Sequence, residues 1–283
     1  MTASAPAPRL AVEGVELAYD AIGPAEDATA PLVVLLPGMG DLRSAYRHLA
    51  PLLVADGLRV AMLDLLGHGD SGRSPEPVGQ QRIARAAVAL VERLGGPAIV
   101  VGHSFTPDSA LLASQLAPER IVGAVAIAPW ASTPRQPWPM RVLTRLVTSS
   151  PLLWSLFYRS LHKSPPADHA AHRARIVAAL RRPRGTEALV VMGAGRTKDA
   201  EGSRRDQTAP VVVVMGSDDP DFPDPAAEAQ AYAAAVGDAA CQVEVRMIPG
   251  AGHYPHGERP AQTAEAVRSL ARRLGWSVGT PGA

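Results

Sequence analysis

A serine alcohol is a poor nucleophile at neutral pH, and it does chemistry only when a base reaches its hydroxyl and a third group orients that base. Three stretches of the 283-residue chain could supply such a set. In the first, the apolar, mostly β-branched run from Ala98 to Gly102 ends in His103-Ser104, and Thr106-Pro107-Asp108 opens an apolar-periodic segment. That is the pattern of a buried strand turning sharply into a helix. A serine at such a corner is lifted out of the sheet, and the next amide, that of Phe105, faces the same space. The second stretch, Gly216-Ser217-Asp218-Asp219-Pro220-Asp221, and the third, Pro249-Gly250-Ala251-Gly252-His253, each follow an apolar run. Singly, these read as a turn, a loop cap and a surface histidine. Together they put a serine, an acid and a histidine at the carboxyl ends of strands, where open parallel sheets bind ligands.

The elements that must position these residues follow from periodicity. Residues 9 to 23 alternate polar and apolar and predict a β-hairpin. Continuous apolar runs predict buried strands at 32 to 36, 59 to 64, 97 to 102, 121 to 128, 210 to 215 and 242 to 248. Helical spacing lies between them: a segment ending near Ala55, then 79 to 94, 107 to 116, 225 to 236 and 259 to 274. Such alternation predicts an α/β fold, with a mostly parallel central sheet of about eight strands flanked by helices. From Ala131 to Gln207 the rhythm gives way to proline-punctuated helical pieces, an insertion after the sixth strand. The expected organisation is a loose tail at 1–8, a core of 9–130 and 208–275, the helical insertion at 131–207, and a frayed tail at 276–283.

Composition narrows the class. Apolar residues make up 47% of the chain and charged residues 19%, which fits a folded globular core. A net charge of +1 gives no electrostatic case for nucleic acid or a membrane surface. The single cysteine, Cys241, excludes an internal disulfide and is expected in a buried strand. Pro6 and Pro8 break the N-terminus, which also lacks a secretory pattern, and no apolar run reaches the ~18 residues of a membrane span. The expectation is a cytoplasmic protein, monomer or homodimer, acting on a small molecule.

The Gly-His-Ser corner resembles the nucleophile elbow of the α/β-hydrolase-fold superfamily, and the chain order Ser104, Asp219, His253 matches that of its capped serine hydrolases, esterases and lactonases. The likeness covers roughly residues 9 to 275. It implies Ser104 as nucleophile, His253 as base and an acid three residues after a glycine and just before proline, which from Gly216 is Asp219. Asp221 is its main rival and Asp218 a lesser one. The oxyanion then needs two donors, Phe105 N–H and a second from the loop after the strand at 32 to 36, for which Met39 N–H is the candidate. The insertion becomes a cap over the nucleophile, so the aromatic residues Trp138, Trp154, Phe157 and Tyr158, with Trp130 at its entrance, are expected to line an apolar substrate pocket. The implied reaction is cleavage of an ester, lactone or thioester through an acyl-enzyme, with no cofactor or metal. A ligand-sensing relative with little turnover, or one that uses the same residues for acyl transfer, cyclisation or C–C cleavage, is the alternative.

Thr106 stands where the second elbow glycine usually lies. Because a residue before proline leaves the α region, the elbow helix is expected to begin at Pro107 with Thr106 as N-cap and Asp108 in its first turn. Other motifs read as structural. Gly38-Met39-Gly40 lacks the third glycine of a dinucleotide loop. His169 and His172, without an acidic or cysteine partner in their spacing, read as solvated. His68 and His103 read as turn and packing residues, and His256 as a surface neighbour of His253.

Overall fold

The computed structural model describes every residue except 1–6, 25–28, 75, 133–136, 196, 238–240 and 280–283. Strands β1 (Arg9–Val12) and β2 (Val15–Ile22) form the antiparallel hairpin. At its tip Glu13 and Gly14 both take positive φ, 48° and 76°, the two-residue turn whose twist matches the strands it joins. The sheet continues with β3 (Leu32–Leu36), β4 (Arg59–Leu63), β5 (Ala98–His103), β6 (Ile121–Ile127), β7 (Val211–Gly216) and β8 (Val243–Ile248) in the order β1-β2-β4-β3-β5-β6-β7-β8. Pairings from β4 to β8 are parallel, while β2 joins β4 antiparallel. β3, β4, β5 and β7 are buried at every residue, which is why they read as unbroken apolar runs in the sequence.

Helices α1 (Ala50–Ala55), α2 (Gln80–Leu94) and α3 (Pro107–Leu116) fall in the first crossovers and α8 (Pro225–Ala234) in the last, while α9 (Pro255–Glu258) and α10 (Pro260–Arg273) follow β8. Between β6 and β7 stand α4 (Trp138–Ser149), α5 (Pro151–Ser160), α6 (His169–Leu180) and α7 (Glu187–Gly193). Strand order reverses between β4 and β5 around β3, and a crevice therefore opens outside the carboxyl ends of β3 and β5. Ser104 follows β5 and Met39 follows β3, which puts both at that crevice.

The insertion has its own small core, in which Trp154, Tyr158, Leu161, Ile176, Leu180 and Leu189 pack with Tyr254 of the main body. Its last stretch departs from the expected boundary. A 3-10 turn at Glu201–Asp206 packs on α3, and the buried Arg204 guanidinium binds the Asp108 carboxylate at 2.6 and 2.9 Å. Arg204 also donates to the carbonyls of Trp130 and Ala131, so residues near 200–207 belong to the main body. The C-terminal end is likewise not frayed up to 279. Gly275, at φ 77°, turns the chain back, and Trp276 and Val278 pack on the core. Cys241 is buried two residues before β8 rather than within a strand. Among the described residues no helix is long and apolar enough to cross a membrane.

Candidate active site

The corner at Ser104 is built by close approach. An added Cβ on Gly102 would lie 2.3 Å from the Thr106 carbonyl oxygen, so only glycine lets the chain fold back there. Ser104 itself sits at φ 57°, a left-handed conformation that costs a non-glycine residue about 1–3 kcal/mol and is held by its surroundings. Its amide donates to the Ile127 carbonyl of β6 at 2.9 Å.

α3 begins at Pro107 as expected, but the Thr106 hydroxyl does not cap it. The side chain is buried and turned back into the strand ends instead. It accepts from His103 N–H at 2.9 Å and lies 3.0 Å from the Leu36 carbonyl, tying β5 to β3 beneath the crevice.

Three side chains converge at the crevice. His253 Nδ1 is 2.8 Å from Asp219 Oδ2, and its Nε2 is 2.9 Å from Ser104 Oγ. With Nδ1–H donated to the carboxylate, Nε2 carries the lone pair that accepts the serine O–H. Asp221 takes a different place: its Oδ2 lies 3.9 Å from His253 Nε2, on the serine side, while its own N–H donates to Asp219 Oδ1 at 3.0 Å. Asp218 is exposed and bonded to Ser217. Met39 and Phe105 border the same cavity, and their amides have no hydrogen-bond acceptor among the described residues.

Burial by itself would push His253 down. The charge and hydrogen bond of Asp219, joined by the charge of Asp221, outweigh it and raise the imidazole above its ordinary value. Burial also raises the Asp221 carboxyl. Because Asp221 favours the imidazolium, Asp221→Asn should lower the His253 pKa. A base must be neutral to accept a proton, so the acid limb of the kcat/KM–pH profile should move to lower pH in that variant. An unchanged limb would show that Asp221 does not act on His253.

A cavity of about 320 Å³ opens above the serine. Trp130, Trp154 and Phe157 line it, with Met39, Met140, Leu143, Val147 and Met192, so it is mainly apolar. Two expected aromatics are elsewhere. Trp138 is 74% exposed, pointing away from the body because α4 buries only Thr148. Tyr158 is buried behind the wall, donating to Asp41 Oδ2 at 3.1 Å.

Sequence reading missed the groups that hold the loops. Asp41 is fully buried; it binds His172 Nε2 at 2.8 Å and accepts from Leu42 N–H, so the Met39 loop is pinned to α5 and α6. Trp154 adds an indole N–H to the Gly40 carbonyl at 3.1 Å. His172 is therefore buried and paired, not solvated, and His169 is buried beside Tyr158. His103 Nε2–H donates to the His253 carbonyl at 2.8 Å, and burial with the nearby His253 pushes its pKa down to about 3, keeping it neutral. His256 is buried against His103 and Tyr46. Glu258 accepts from the amides of Gly252 and Lys163, clamping the His253 loop. Lys198 reaches the cavity with its ammonium 5.1 Å over the Trp130 ring, and burial lowers its pKa. Among the described residues no group of histidine, cysteine and acid side chains could hold a metal ion.

A strand-ended serine, histidine and aspartate on a sheet with this strand order define a fold class, and comparison with known proteins agrees. The model of the alpha/beta hydrolase family matches residues 33–266, and the chain belongs to that family. It is 34% identical over 113 residues to an sn-1-specific diacylglycerol lipase of Mus musculus, a match covering 38% of this chain and 36% of that protein. It is 32% identical over 105 residues to epoxide hydrolase B of Mycobacterium tuberculosis, covering 36% and 30% respectively. The chain thus spans about a third of the length of these curated relatives. Among solved structures, a thermophilic esterase from Thermogutta terrifontis aligns with a TM-score of 0.75 at 24% identity, over 95% of this chain and 99% of that one. The enol-lactonase from Burkholderia xenovorans aligns with a TM-score of 0.75 at 20% identity, over 94% and 100%. At these identities the likeness is one of fold.

Proposed function

We propose that the protein is a serine hydrolase that cleaves an ester, lactone or thioester of a small to medium apolar substrate through an acyl-enzyme. The observation that carries this reading is the unbroken chain from Ser104 through His253 to Asp219, with both contacts under 3 Å. In the proposed cycle Ser104 Oγ attacks the carbonyl carbon while His253 Nε2 takes its proton. Asp219 keeps the imidazole in the right tautomer and stabilises the imidazolium. The negative charge that develops on the carbonyl oxygen is received by the Met39 and Phe105 amides. His253 then protonates the leaving alcohol or thiol, and water, deprotonated by the same nitrogen, releases the acid and restores the serine. The apolar cavity suits an acyl or alcohol part of hydrocarbon character. Esterase and lactonase neighbours of the same fold are consistent with that chemistry. A short p-nitrophenyl ester should give a pre-steady-state burst of about one p-nitrophenol per active site, as an acyl-enzyme accumulates. Product release with no covalent acyl group on trapped protein would contradict the proposed course.

A further inference from the structure

Among the described residues, eight of the ten exposed large apolar side chains fall between Trp138 and Leu156, on α4 and α5. α4 stands proud of the body. Thr144 and Thr148 face α7 at Gly193, and Met140, Leu143 and Val147 face the cavity. The remaining side carries Trp138, Val142 and Leu146 at four-residue spacing, one stripe of the helix open to solvent. α5 continues it with Leu152, 59% exposed, and Leu156, 58% exposed. Patches of this kind on a soluble protein mark an interaction surface.

Charge says what covers it. Residues 138–160 hold three arginines, Arg141, Arg145 and Arg159, and no acidic residue. All three are exposed, none is in an ion pair among the described residues, and Arg141 and Arg145 border the apolar stripe one turn apart. The overall charge of +1 hides this local excess. An apolar stripe flanked by arginine is the pattern of a helix lying in a lipid interface. A second copy packed face to face would set these arginines against their own images, a repulsion that an anionic lipid surface replaces with attraction.

We propose that the α4–α5 face docks on an anionic lipid surface, with the apolar stripe in the acyl region and the arginines at the headgroups. Since the inner side of the same helix lines the cavity above Ser104, docking brings an apolar path from the lipid to the site. The binding claim does not depend on the hydrolase reading.

Sedimentation of the full chain with phosphatidylcholine vesicles, with and without phosphatidylglycerol, tests it. Wild-type protein should sediment with the anionic vesicles and do so less at high salt. Leu152→Glu combined with Leu156→Glu should weaken binding by about tenfold or more, and Arg141→Glu with Arg145→Glu should abolish the preference for phosphatidylglycerol. Both pairs lie on the surface and outside the cavity, so turnover of a soluble short-chain ester without vesicles should match wild type and show the variants folded. Wild-type protein that stays in the supernatant with both vesicles would overturn the proposal. So would a dimer in light scattering that the Leu152/Leu156 pair dissolves, because the face would then belong to a second copy.

Discussion

Ser104→Ala should cut turnover of short p-nitrophenyl esters by on the order of 10⁴- to 10⁶-fold while leaving the fold intact. The size follows from what the substitution removes. Without Oγ no acyl-enzyme forms, and His253 loses the proton donor at its Nε2. What survives is binding in the cavity and whatever the Met39 and Phe105 amides do for a water attack, which accounts for a residual rate above that of water. Alanine fits the left-handed corner no worse than serine, since the strain at φ 57° lies in the backbone. Thermal stability should therefore be close to wild type, and KM, where measurable, should change little. A loss of less than about tenfold would remove Ser104 from the chemistry.

The largest stability effect is expected at Asp41. Its carboxylate accepts from Leu42 N–H and Tyr158 O–H and lies 2.8 Å from His172 Nε2, and both the carboxylate and the imidazole are fully buried. Asp41→Ala strands three hydrogen-bonding groups without an acceptor in a dry site, at about 1–3 kcal/mol each, for which a loss of about 3–5 kcal/mol is expected, a fall in Tm on the order of 10 °C. The pH dependence has a definite sign. Burial pushes the Asp41 carboxyl up, but His172 and the Leu42 amide outweigh it and the net shift is downward. A lowered carboxylate contributes stability that is fully present above the ordinary carboxylate value and is lost as pH falls through the folded value. Wild-type protein should thus lose stability in acid faster than the variant does. Equal Tm values for the two proteins across pH would contradict the role given to this pair. Because the Met39 loop is pinned through Asp41, the variant should also lose activity at temperatures where it stays folded.

Much of the framework was legible because burial imposes a simple rule on parallel strands. β3 and α3 appeared at their observed bounds, and the other strands within a residue or two, since strands covered on both faces must be apolar throughout. Ser104, Asp219 and His253 were legible as candidates for a related reason, as each lies in the loop just after a mainly apolar strand, Ser104 at the first, Asp219 at the third and His253 at the fifth residue past its end. The groups that hold these loops were hidden by distance along the chain. His172 reads as solvated on local spacing because its acid, Asp41, is 131 residues away and no periodicity relates the two. Thr106 looked like a cap because its neighbours are cap-like, whereas the carbonyl it meets belongs to another strand, 70 residues earlier. The aromatic cluster of the insertion signalled an apolar segment without saying which face each ring takes. Trp154 turned inward to Gly40, and Trp138 turned out to solvent.

In the proposed function Ser104 is an activated nucleophile. Incubation with a fluorophosphonate probe, followed by mapping of the labelled peptide, measures this directly, because the reagent reacts with a serine whose proton a neighbouring base can take. Stoichiometric label on Ser104, lost in His253→Ala and slowed as pH falls through the His253 transition, is the predicted result. Folded protein that takes no label, or carries it on another residue, would contradict it.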